Sequence, residues 1–161
     1  MILLAENGNA KAYIVVAPDA THKTLKPAAD LARCLNAMTG AEFQIGTTRG
    51  PRGMMDIGLG IWPGETGPCQ ASYRIMADAR SGIISLIGDD RGDNWGTDWA
   101  VHHFLHLLGC RWIDPGNFGP VGDSFRDRLE VPETFIFEWT RILMRRGEWQ
   151  LPIHTTEENT T

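Results

Sequence analysis

Cysteine is scarce in this sequence and poorly spaced for metal or redox chemistry. Cys34, Cys69 and Cys110 form no CxxC pair, and three is an odd number, so neither a zinc knuckle nor a disulfide framework is indicated. Each reads as a small buried hydrophobe. Long apolar runs are missing too; no stretch approaches the ~20 residues that a membrane span needs. The N-terminal MILLAENGNAK is too short for a signal core and lacks a basic leader. If the protein is exported, its signal lies outside this chain. Positive charge is not in excess: 15 Lys and Arg stand against 20 Asp and Glu, for a net charge of −5 and a pI near 5.5. That excludes the basic footprint of a nucleic-acid binder. The acids are scattered rather than gathered in a tail, and there is no internal repeat or low-complexity block.

What remains is a chain of 161 residues, 42% apolar and 22% charged, the size and texture of one globular domain. AYIVVA (12–17) is a continuous β-branched run and predicts a strand covered on both faces. In THKTLKPAADLARCLNAMTG, Ala28, Leu31, Leu35 and Met38 recur at helical spacing, with Pro27 expected in the first turn and Gly40 as the stop. EFQIG (42–46) and MDIGLGIW (55–62) alternate as strands. In the second, Gly58 and Gly60 predict that something large lies against the backbone. SYRIMADARSGIISLIG reads as a hairpin turning at Gly82. The loop DDRGDNWG leads into a second helix of about Trp95 to Leu108, with Asp93 or Asn94 expected as its N-cap and Gly109 as its end. CRWI, RLEV and TFIFEW are further extended candidates. The order β-α-β-β-β-β-α-β predicts an α+β fold, a mixed sheet carrying two helices. Residues 1–140 form the expected domain and residues 141–161 a basic, then polar, tail.

The second helix holds the candidate site. At 100° per residue, Val101, Phe104, Leu105 and Leu108 share the face that should meet the sheet. Their burial would contribute on the order of 6–12 kcal/mol before entropy is subtracted. Trp95, Trp99, His102 and His106 share the opposite face. Two tryptophans on a solvent-facing stripe point to a second layer of protein, with sugar stacking as the alternative. His102 and His106 stand at i, i+4, a spacing that can clamp a metal, but HHFLH has His103 where HExxH has its glutamate. No third ligand is evident, so a structural role is the simpler reading. The glycines of GDDRGDNWG match neither a dinucleotide nor a phosphate loop, and Arg91-Gly92-Asp93 is a tripeptide match close to chance. No nucleophile elbow appears. Glu130, Glu133 and Glu138 have no evident reason to face one another across a cleft, as glycoside chemistry requires. In LGCRWIDPG, Cys110 and Trp112 are expected to alternate with Arg111 in a short strand. Arg111 could then grip Asp114 or a carboxylate of a partner domain with its bidentate fork.

The succession LAENGNAKAYIVVAPDAT, AMTGAEFQI, SYRIMADARSGIISLIGDDRG and GTDWAVHHFLHLLGCRWIDPG resembles the N-terminal domain of bacterial alpha-glucuronidases, glycoside hydrolase family 67. It is also similar to N-terminal domains of secreted glycosidase-like proteins. The run from Arg91-Gly92 through Gly109-Cys110-Arg111-Trp112 carries most of the likeness, Met38-Thr39-Gly40 supports it, and the whole spans roughly residues 3–140. The resemblance implies the beta-N-acetylhexosaminidase domain-2-like fold and a bacterial protein of a kind that can be exported; no cofactor is expected. It also implies that catalysis belongs to a TIM barrel that follows this domain, so no catalytic residue is carried over to this chain. Where that family commonly has Tyr and acidic residues on the helix, this chain has His102, His103 and His106.

Three functions are therefore carried forward. The first is a non-catalytic accessory domain of a carbohydrate-active enzyme, meeting its barrel or a second copy through the Trp95, Trp99, His102 and His106 face, with Arg111 as a further contact. The second is a stand-alone carbohydrate-binding module using Trp95, Trp99 and Trp62. The third is a small metal-dependent enzyme built on His102 and His106.

Overall fold

A computed structural model describes residues 1–60, 72–110 and 125–139. Nine strands and two helices are present among them: β1 (Ile2–Glu6), β2 (Asn9–Ala10), β3 (Ala12–Val16), α1 (His22–Thr39), β4 (Ile45–Gly46), β5 (Met55–Leu59), β6 (Ser72–Asp78), β7 (Ile83–Gly88), α2 (Gly96–Leu107), β8 (Arg128–Val131) and β9 (Thr134–Trp139). The fold is α+β, as the element order predicts.

The strands form two sheets where the sequence suggests one. A six-stranded mixed sheet runs β4-β3-β5-β7-β6-β9, and a three-stranded sheet runs β2-β1-β8. In the larger sheet β4, β3, β5 and β7 are parallel neighbours, while β6 pairs antiparallel with β7 and β9. Register aligns Ile14 with Ile57, Ile57 with Ile84, Ile84 with Ala77, and Leu86 with Ile75. Because side chains alternate faces, these residues share one side of the sheet. All are fully or almost fully buried. α1 packs on β3, α2 packs on β6 and β7, and the helices touch each other, so both cover that apolar side. The small sheet joins the same core through Ile2, Leu4, Leu129 and Val131.

α1 buries Ala28, Leu31, Leu35 and Met38, the stripe read from the sequence. Gly40 ends it in the left-handed conformation, its N–H donating to the Asn36 carbonyl. The helix begins at His22, which moves Pro27 into the second turn. EFQIG contributes only the two-residue β4, with Phe43 buried and Ile45 exposed. Gly58 is buried, but a side chain at Gly60 would meet only Thr24 at ordinary contact distance. At Gly60 it is the backbone, at φ 69°, that needs glycine, not a large neighbour.

Candidate functional site

Thr97, Ala100, Val101, Phe104 and Leu105 turn inward from α2 and are wholly buried. The helix closes in a Schellman motif: Gly109, at φ 94°, donates to the His106 carbonyl and Cys110 to the Leu105 carbonyl. Its start differs from the expected Asp93 or Asn94 cap. Trp95 holds the N-cap position without a side-chain bond, and Asp90 accepts from the Thr97 N–H at 2.9 Å and its hydroxyl at 2.7 Å. Thr97 Oγ1 also accepts from the Gly88 N–H. A carboxylate at this end also suits the helix dipole.

The loop before α2 is built around a cation supplied by α1. The Lys23 ammonium donates to the carbonyls of Asp90 at 2.9 Å, Asn94 at 3.0 Å, and Gly92. Asp89, buried, accepts from Arg91 Nε at 2.7 Å and Asn94 Nδ2 at 2.9 Å. Arg91 thus reaches back to Asp89. Gly88 and Gly96 lie backbone to backbone, so that a Cβ on either would collide with the other's main chain. The glycines and aspartates of GDDRGDNWG therefore build a strand-to-helix corner.

On the outer side of α2, Trp95, Trp99 and His102 are half-buried and His106 is exposed. The helical spacing predicts both tryptophans to be without a core, but Trp99 packs on the core's edge. Trp95 leans on α1: His22 meets its ring edge-on at 5.3 Å, and Lys23 lies 5.6 Å from the ring centre. His102 Nδ1 donates to the Asp98 carbonyl at 2.8 Å and sits 3.4 Å from its carboxylate. His103 points elsewhere, to the Tyr73 hydroxyl at 2.9 Å. Leu107 on α2 and Leu25 on α1 are 45% and 48% exposed. Lys26 bridges the helices, 2.9 Å from Asp30 and 3.7 Å from Asp98, and Arg33 also reaches Asp30. The Asp30 hydrogen bond pushes the Lys26 ammonium up. Burial pushes the Asp30 carboxyl up, but Lys26 and Arg33 outweigh it and hold Asp30 below the ordinary carboxylate value.

No family model matches the chain, and no curated protein matches it at a significant level. Function must therefore be argued from the residues. Among the described residues, no group of three or more His, Cys, Asp or Glu side chains converges to hold a metal ion. Glu130 is engaged by Arg128 in the small sheet, and Glu133 is exposed. Arg111, Trp62, Trp112, Cys69, the predicted CRWI strand beyond Cys110 and the 141–161 tail lie outside the described residues, as does the Glu138 side chain. A shallow cavity of about 360 Å³ lies away from α2, lined by Asn9, Tyr13, Glu42, Gln44, Pro51 and Met54 among others. It draws on residues from distant parts of the chain, a conjunction that no local motif signals. No helix among the described residues is long and apolar enough to cross a membrane.

Proposed function

We propose that this chain is a non-catalytic accessory domain of an alpha-glucuronidase-like glycoside hydrolase, presenting the outer face of α2 to a catalytic barrel. The observation that carries the reading is the asymmetry of the helix layer. The inner side of α2 completes a core, while the half-buried Trp95 and Trp99 still offer apolar area on the outer side. Aromatic residues in a partly polar surround suit a protein interface. The carbohydrate-module reading is less well supported, because Lys23 lies over one face of Trp95 and His22 makes a T-shaped contact with it, where a stacking sugar would want a bare ring.

The test compares this chain alone with the chain joined to whatever follows Thr161 in its reading frame. Oxidative footprinting read at Trp95 and Trp99 should find both modified in the short chain and protected in the longer one, with a barrel in the added sequence. Alone, the chain should self-associate in sedimentation, and Trp99→Glu should weaken that association. A short chain that stays monomeric at high concentration, with equal footprints in both proteins, overturns the proposal.

A further inference from the structure

Two of the three cysteines, remote in sequence, meet inside the fold. Cys34 and Met38 lie one turn apart on the buried side of α1, and Cys110 follows the end of α2. The Cys110 thiol is 3.1 Å from Met38 Sδ. The Cys34 thiol lies within hydrogen-bonding reach of the same Cys110 sulfur. Both cysteines are thiols here, Cys34 1% and Cys110 2% exposed. A small hydrophobe needs no sulfur partner, so the pairing of two thiols across two elements asks for its own explanation.

We propose that Cys34 and Cys110 are a disulfide-forming pair that, once oxidised, ties α1 to the end of α2. The oxidant is a low-molecular-weight disulfide of the glutathione class. The Cys34 thiolate attacks one of its sulfurs, forming a mixed disulfide and releasing one thiolate. Cys110 loses its proton and attacks the Cys34 sulfur, releasing the second. Two protein thiols and one small disulfide thus become one protein disulfide and two small thiols. The two cysteines are interchangeable in these roles, because the opened chain in which exchange occurs no longer holds the hydrogen bonds of the folded core. Burial of both sulfurs means that exchange needs an opened or folding chain. The link therefore closes as the protein folds and is afterwards shielded from reductant, which suits a structural tie of an oxidising compartment better than a rapid switch. The pair stands independently of the accessory-domain reading.

The full chain, unfolded under reducing conditions and refolded with mixed reduced and oxidised glutathione, tests this. Mass spectrometry should find a loss of about 2 Da, a linked Cys34–Cys110 peptide pair and Cys69 outside it. The thermal midpoint should exceed that of the reduced chain by on the order of 5–15 °C. Cys69→Ala should keep both signatures, and Cys34→Ala and Cys110→Ala should each lose them. Links through Cys69, a statistical mixture of pairs, or Cys34 and Cys110 both still thiols after oxidative refolding would overturn the proposal. Should either alanine variant fail to fold, the peptide map of Cys69→Ala decides alone.

Discussion

The two faces of α2 are held by different physics. Inward, Ala100, Val101, Phe104 and Leu105 have no solvent exposure, and Leu108 very little. They form a continuous apolar surface with Ile75, Ile84 and Leu86 of the sheet. Outward, Trp95 rests on a lysine and a histidine, His102 bonds its own helix, and Lys26 ties Asp98 to Asp30. The inner contacts are many, non-directional and cooperative, whereas the outer ones are separate and partly wet, each contributing on the order of 1 kcal/mol or less. Substitutions should sort accordingly, with the inner face controlling whether the domain folds and the outer face controlling how its edges behave.

The sharpest contrast is Phe104 against Trp99. Phe104→Ala empties a fully buried site and should cost about 3–5 kcal/mol in urea unfolding. Trp99 only borders the core, so Trp99→Glu should cost about 1–2 kcal/mol, a thermal shift of a few degrees. Equal losses at the two sites would mean that Trp99 is as much a part of the core as Phe104.

That contrast also marks what could be read from the sequence. The inner faces of α1 and α2 and the β6–β7 hairpin follow from periodicity, since one pattern repeated over several turns or alternations suffices. The Gly40 and Gly109 stops follow from chain geometry at helix ends. The β1–β2 hairpin carries a local signal as well: Asn7-Gly8, both at positive φ, is the favoured two-residue turn. Lys23 inside the 90–94 loop, Asp90 at the start of α2, and Cys34 beside Cys110 were not legible. Each depends on how α1 docks beside α2, and no local spacing encodes that. Trp99 was half-legible, because a helical wheel sorts residues by angle but does not say how far a large ring reaches back over the core's rim.

Lys23 probes the next smaller effect. Lys23→Met keeps the apolar stem but removes the ammonium that collects the loop carbonyls. Charge-assisted bonds partly open to water suggest a loss of about 1–2 kcal/mol. Hydrogen exchange should speed up over residues 89–95 while the inner face of α2 stays protected. Uniform acceleration through α2 would mean that the corner and the core open together and that the two faces are not separable.

The smallest effect belongs to Asp30. Asp30→Asn leaves the inner face untouched and removes the carboxylate that Lys26 and Arg33 share. Lys26 and Arg33 are substantially exposed, so screening keeps the expected loss to about 0.5 kcal/mol at neutral pH. The sign of its pH dependence follows from the shifts. Asp30 is lowered from 3.8, so its contribution is present above that pH and disappears as pH falls through the folded value. Lys26 is raised from 10.5, so its contribution is present below that pH and disappears as pH rises through the folded value. The stability difference between wild type and Asp30→Asn should therefore be flat from about pH 5 to 9 and shrink toward both extremes. It should also shrink in about 1 M salt, where the screening length falls to ~3 Å. A difference that persists at about pH 2 in high salt would assign Asp30 a packing role, and the outer layer would then share the inner face's physics.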